Sequence, residues 1–297
     1  VTAMNIASLR RPGHRVFSRF AEAILRPAGS PAGLCGPSYY DRSDCGIYRT
    51  GSWYASIRMH SERTVGFEFT NGENTLANFS ADGALHVGGA ISGDVLCTTM
   101  EVERDGLHAL KSAFFFGDLV VALGADIRSS DPRMFRVTTA LDQTHLAGPV
   151  VSGDRSSGLP WVHHDGRGYV SLDGAPIRVS TEVQEGKWDL IDPFYKDKTQ
   201  RGAVFKCWFE HDPARTGGYA YAVLPCRDAR HTGRFASGPS VRLIRNDARC
   251  QAVEYGKTLC AVVHRAGEYR LGGRTLAATE PAIYIVRRGR TEVHRLP

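Results

Sequence analysis

Residues 61–74 read Ser-Glu-Arg-Thr-Val-Gly-Phe-Glu-Phe-Thr-Asn-Gly-Glu-Asn and crowd Arg63, Glu68, Asn71, Glu73 and Asn74 into one short stretch. Carboxylates, amides and a guanidinium at that density can donate to a sugar hydroxyl, hold an acidic group or orient a neighbouring base. Arg63 carries a planar fork of donors that suits a bidentate contact with a carboxylate. The same residues also suit a plain solvated hairpin in which Arg63 and Glu68 form a structural pair.

The elements that must position these groups read as sheet. Trp53, Ala55, Ile57 and Met59 alternate with Tyr54, Ser56, Arg58 and His60, the period of a strand with one face buried. Arg58 and His60 share its polar face. Residues 65–69 are rich in strand formers and end at Asn71-Gly72, a dipeptide suited to the positive φ angles of a tight turn. The polar groups are therefore expected near a strand end.

Further candidate strands lie at 84–87, 107–116, 119–123, 135–141, 168–172, 203–210, 219–224, 240–245, 259–263 and 282–287, separated by turn signals such as Asp82-Gly83, Asp105-Gly106, Asp165-Gly166 and Asp173-Gly174. With 42% hydrophobic residues in 297, the chain can bury a sizeable core. It reads as all-β, mostly antiparallel. Residues 14–25 place Val16, Phe17, Phe20, Ala21, Ile24 and Leu25 at helical spacing among arginines, which predicts a short amphipathic helix. Pro27, Gly29, Pro31 and Gly33 then read as a linker. A fall in apolar content over 227–239 marks a weaker boundary.

The net charge of +6 suits an acidic partner. Nucleic acid is not expected, because the arginines are scattered and no recognition motif is present. No run approaches the roughly 18 apolar residues that span a bilayer, so no membrane partner is expected, and the first thirty residues show no apolar signal region. The seven cysteines contain no Cys-x-x-Cys pair. Cys35 with Cys45 and Cys250 with Cys260 are candidate disulfides, against the simpler reading of buried free thiols. His163-His164-Asp165 is not expected to bind metal, since neighbours on a strand point to opposite faces. Trp188 and Tyr195, in loop-like sequence, are candidate stacking platforms for sugar rings.

The order Trp53, Ser61, Arg63, Glu68, Asn71-Gly72-Glu73-Asn74 and Asp82-Gly83 resembles the central β domain of polysaccharide lyase family 8, which includes hyaluronate, chondroitin AC and xanthan lyases. The likeness continues through Ser112-Ala113-Phe114-Phe115-Phe116-Gly117-Asp118, the run 120–127, Val137-Thr138-Thr139, the run 161–166, and Tyr219-Ala220-Tyr221-Ala222-Val223-Leu224-Pro225. It covers the chain from about Tyr40 onward. The resemblance implies a large antiparallel β-supersandwich over 40–235, a C-terminal β segment or small sandwich over 236–297, and an N-terminal helix and linker over 1–39.

It also implies β-elimination next to a uronic acid in an anionic polysaccharide, with no metal and no cofactor, outside the cell or in the periplasm. In that family the main catalytic amide, His, Tyr and Arg come from a helical domain. A chain beginning at Val1 without that domain reads as a processed, split or truncated product, partnered by a separate helical domain or chain. By the resemblance, Glu73 and Glu68 take supporting catalytic roles, and Asn71, Asn74, Arg63 and Arg58 bind substrate. The alternative is a noncatalytic carbohydrate-binding or structural β-sandwich module.

Overall fold

The computed structural model describes residues 35–59, 84–104, 106–131, 136–154, 156, 158–190, 199–226 and 228–296. The expected helix over 14–25 and strand over 65–69 lie outside them.

The architecture is all-β, as expected, and is organised around one eight-stranded antiparallel sheet. Its order is β4 (Ala84–Ser92), β5 (Val95–Arg104), β6 (Leu107–Phe115), β7 (Val120–Ser129), β15 (Gly217–Pro225), β11 (Arg167–Ser171), β10 (Trp161–His164) and β9 (Val151–Gly153). Two smaller sheets cover one face. A meander of β1 (Gly36–Tyr40), β2 (Cys45–Arg49) and β3 (Tyr54–Arg58) packs Tyr48, Trp53 and Ile57 on Leu96, Ala113 and Phe115. Beside it, the long strand β14 (Thr199–His211) pairs with β8 (Val137–His145) on one edge and with β12 (Arg178–Ser180) and β13 (Val183–Lys187) on the other. Its Phe205 and Cys207 pack on Val162 and Tyr169, and Phe209 on Ile127 and Tyr219.

The opposite face meets the C-terminal region. There β16 (Val241–Asn246), β17 (Cys250–Tyr255), β18 (Thr258–Val263), β21 (Ala282–Arg287) and β22 (Arg290–Arg295) form a five-stranded sheet, and β19 (Gly267–Leu271) pairs with β20 (Arg274–Ala278). The apolar run in β18 has no polar alternation because both its faces are buried. Cys260 and Val262 join Phe114, Val121, Leu123 and Ala220 of the eight-stranded sheet, whereas Leu259, Ala261 and Val263 pack with Tyr269 and Leu271 of the small hairpin. The C-terminal region is thus a small β-sandwich.

One element was not expected: the polar stretch 229–237 holds the helix α1 (Ala229–Ser237). Asp228 caps it, its side chain accepting from the His231 N–H at 2.7 Å, and Thr232 and Ala236 are buried beneath it. Its polar, Gly233-containing sequence hid it from periodicity; a Cβ on Gly168 of β11 would overlap Thr232, so that glycine admits the helix to the sheet. Of the two readings of the thiols the simpler one holds and the candidate disulfides do not: all seven cysteines are free. Cys250 and Cys260 belong to opposite faces of the C-terminal sheet, and Cys45 pairs across the hairpin with Tyr40 rather than Cys35.

A buried polar clasp locks the two β units together. Gln251, fully buried, has its carbonyl oxygen 2.6 Å from the Ser112 hydroxyl and accepts from His264 Nε2 at 3.1 Å, while its amide donates to Asn246 Oδ1 at 3.0 Å. Asn246 Nδ2 in turn donates to the carbonyls of Gly124 and Tyr219. Burial lowers the His264 pKa to about 4. An unfolded His takes its proton near ~6.5, so below that pH the unfolded chain binds more protons and stability falls as pH drops towards 4. The upper bound for this group is about 3 kcal/mol across that window. Denaturant melts at pH 7 and pH 5 should show the loss, and His264→Gln should flatten the difference; an unchanged pH dependence in that variant would show that His264 is not its source.

Candidate functional site

Of the six predicted site residues, the described structure contains Arg58; Arg63, Glu68, Asn71, Glu73 and Asn74 lie in the stretch 60–83. What the structure gives is the place where that stretch leaves and rejoins the fold. β3 obeys the predicted alternation, with Tyr54, Ser56 and Arg58 exposed and Met59 buried just beyond it. The Met59 N–H donates to the Asp44 carbonyl at 2.8 Å, and its side chain packs with Val87 of β4 and Met100 of β5. The chain then enters β4 at Ala84, paired with Val102. Both ends of the stretch are therefore fastened at one end of the eight-stranded sheet. Tyr39 holds β1 over β4 there, above Gly89, where a Cβ would overlap the ring.

That sheet end is charged. His108 of β6, 7% exposed, lies with Nδ1 2.9 Å from Glu103 Oε2 and 4.0 Å from Glu101 Oε1, and with Nε2 3.1 Å from Asp126 Oδ2. Arg128 Nη1 reaches the same Asp126 oxygen at 2.8 Å. Asp126 sits at a φ of 52°, where the ladder between β6 and β7 shifts register between His108 and Leu110. The irregularity turns the carboxylate to the His108 side. Arg58, the Cα partner of Cys45, stands at the end of β3, and its charge partly offsets the burial that raises the Cys45 thiol pKa.

Sequence reasoning missed this cluster. The signal was present: Asp105-Gly106 marks a hairpin, and pairing outward from it puts Glu103 opposite His108. Glu101 and Glu103 are two apart on one strand and share a face. Asp126 was beyond reach, because its direction depends on the register shift. The stacking candidates fare differently. Trp188 lies half-buried in a short 3-10 turn over Trp188–Leu190, and Tyr195 lies outside the described residues. Trp53 is half-buried against the core, stacked on Tyr48 at 5.3 Å.

His163 and His164 do point apart. His163 Nε2 lies 3.1 Å from the Cys226 carbonyl, and His164 Nε2 accepts from the Ala147 N–H at 3.0 Å while its ring stacks on Phe205. Among the described residues no group of three or more His, Cys, Asp or Glu has the placement to hold a metal ion, and no helix is long and apolar enough to cross a membrane.

The family model of the polysaccharide lyase family 8 super-sandwich domain matches residues 36–87 and 85–236, and the model of that family's C-terminal β-sandwich domain matches residues 242–295. The chain belongs to polysaccharide lyase family 8. Chondroitinase-AC of Pedobacter heparinus is 26% identical over 292 aligned residues, spanning 78% of this chain and 41% of that enzyme. Xanthan lyase of a Bacillus species is 27% identical over 178 residues, spanning 50% of this chain and 18% of that protein. Among solved structures, the Streptomyces coelicolor A3 chondroitin AC lyase in complex with chondroitin sulphate has the same fold, with a TM-score of 0.72 at 24% identity over 94% of this chain and 45% of that one. The chain spans less than half the length of these family 8 relatives. All six predicted site residues fall within the first matched stretch.

At the charged end, the His108 ring lies between three carboxylates. His108→Leu should leave Glu101, Glu103 and Asp126 without it and cost about 1–3 kcal/mol of stability in denaturant melts. His108→Gln, which keeps a donor, should recover part of the loss; equal loss in the two variants would mean that ring packing, not donation, holds this end together.

Proposed function

We propose that this chain is the β part of a lyase that cleaves uronic-acid-containing polysaccharides of the hyaluronan, chondroitin or xanthan class by β-elimination. The observation that carries the reading is the family match over residues 36–87 and 85–236, whose first part contains the polar stretch anchored at the charged sheet end. In this reading residues 40–235 are the lyase-like sandwich, 236–297 the C-terminal unit and 1–39 a lead-in. A separate helical domain or chain completes the cleft, and the protein works outside the cell or in the periplasm.

In the elimination, a base removes the C5 proton of the uronate, the charge spreads onto the C6 carboxylate, and the C4–O bond breaks as the departing oxygen takes up a proton. No electron acceptor and no metal is required for that balance. Catalysis then rests on donors aimed at the developing enolate and on a placed base. Arg63 and Arg58 suit pairing with the uronate carboxylate, and Asn71 and Asn74 suit donation to carboxylate or hydroxyl oxygens. Glu73 and Glu68 take supporting roles, orienting the cationic or proton-abstracting groups that face them from the helical part. The net charge of +6 favours capture of a polyanion.

The same β scaffold also suits a second reading, a noncatalytic carbohydrate-binding or structural module. The two separate on incubating the protein, alone and with its helical part, with hyaluronan, chondroitin sulfate and xanthan while following the ultraviolet absorbance of the unsaturated uronate product. The lyase reading expects a rise on at least one polymer, and a drop in kcat/KM of about tenfold or more, ~1.4 kcal/mol, for Asn71→Ala and for Glu73→Gln. No rise from folded protein with the helical part present would sink it in favour of the module.

A further inference from the structure

The outward face of the sheet formed by β8, β14, β12 and β13 has a composition that structural packing does not require. Trp208 of β14 is half-buried at its centre, facing away from the core, between Ala140 of β8 on one side and Arg178 of β12 on the other. The ladder shifts register between Cys207 and Trp208, and this irregularity allows Asp142 to accept from the Tyr169 hydroxyl while Trp208 remains outward.

Around the indole the charged groups hold one another in place. Glu210 accepts from Arg136 Nη2 and from Arg178 Nε, each at 3.0 Å, and from Trp208 Nε1 at 3.4 Å. The Arg136 guanidinium lies 5.8 Å from the centre of the Trp208 ring. Each guanidinium has five N–H donors, and among the described residues each gives one nitrogen to Glu210. Lys206, the next outward residue on β14, donates to Gln184 at 3.2 Å. Three cationic groups, Arg136, Arg178 and Lys206, stand here against three carboxylates, Asp142, Glu182 and Glu210.

Trp208, Arg136, Lys206, Gln184, Glu182 and Asp142 line a cleft of about 580 Å³, and Arg178 directly precedes Val179 of its wall. A second cleft of about 770 Å³, lined by Trp161 and Asp154, also has Val179 in its wall. An aromatic face beside fixed guanidinium donors matches a sugar ring with its carboxylate: the C–H face of the ring lies on the indole and the acid meets the arginines. We propose that the first cleft, centred on Trp208, Arg136 and Arg178, is a second, noncatalytic binding surface for a uronate-bearing polysaccharide chain. The choice of an acidic glycan rests on the lyase reading; the binding does not need the elimination to occur. Val137 and Phe209, beside Arg136 and Glu210, pack with Val102 and Ile127 near the charged end of the central sheet. A polymer held in the cleft is thereby kept close to the end at which residues 60–83 join the fold.

The test is native affinity electrophoresis of the full chain in gels containing hyaluronan, chondroitin sulfate or neutral dextran. The wild type should be retarded by the acidic polymers and not by dextran. Trp208→Ala and Arg178→Ala should each weaken retardation by about fivefold or more, and Trp208→Phe should restore part of it. Unchanged circular dichroism and melting temperature would exclude misfolding. Asn71→Ala and Glu73→Gln, which test the lyase reading, should remove only the share of retardation that the elimination site supplies and leave the share that Trp208→Ala abolishes, so the two ideas fail separately. Absence of retardation, wild-type retardation in Trp208→Ala, or retardation lost only in the Asn71 and Glu73 variants would each overturn the proposal. A dimer that depends on Trp208 and is not retarded would assign the cleft to a second copy of the chain instead.

Discussion

The eight-stranded sheet has to be covered on both faces. Phe114 and Phe115 are consecutive and both buried, one facing the C-terminal sandwich and the other the three-stranded meander. Leaving either face in water would expose aromatic and aliphatic area at roughly 25 cal/mol per Å². Each remaining element answers that demand. The meander and the β8/β14 sheet cover one face, and the C-terminal sandwich with α1 covers the other. The buried amide of Gln251 then sets how the second cover sits, because Ser112, Asn246 and His264 can all be satisfied only when it reaches across.

This constraint also explains where chemistry can reside. The faces of the central sheet are committed to packing, so polar groups collect at strand ends and on the outward surfaces of the covering sheets. The end that carries Glu101, Glu103, His108, Asp126 and Arg128 is the end at which β3 gives out and β4 begins. Coverage by the meander thus does double duty: Met59 closes a small core with Val87 and anchors the chain just before the stretch that contains Arg63, Glu68, Asn71, Glu73 and Asn74.

Much of this was legible in the residues. The alternation from Trp53 to Met59 gave the correct buried face, because period-2 patterning survives wherever one face of a strand meets water, and the Asp-Gly turns at 105–106 and 165–166 located two hairpins. The apolar runs of β18 and β21 were read as strands, although both their faces are buried. The helix over Ala229–Ser237 was not legible, since its signal is a cap at Asp228 and a tertiary fit of Thr232 over Gly168 rather than an apolar stripe. The Cys250–Cys260 pairing failed for a related reason: sequence spacing does not say which face of a sheet a thiol occupies. At the candidate site, Glu103 and His108 follow from hairpin arithmetic, whereas Asp126 and the outward Trp208 depend on register shifts that no local pattern announces.

The central claim is that a rigid β scaffold presents residues 61–74 to a uronate. Hydrogen–deuterium exchange of the protein with and without a hyaluronan or chondroitin oligosaccharide measures this at those residues. The account predicts slower exchange in peptides covering 61–74 on adding the acidic oligosaccharide, with no change on adding a neutral one of equal length. Exchange over 61–74 that is unaltered at saturating acidic oligosaccharide would contradict it.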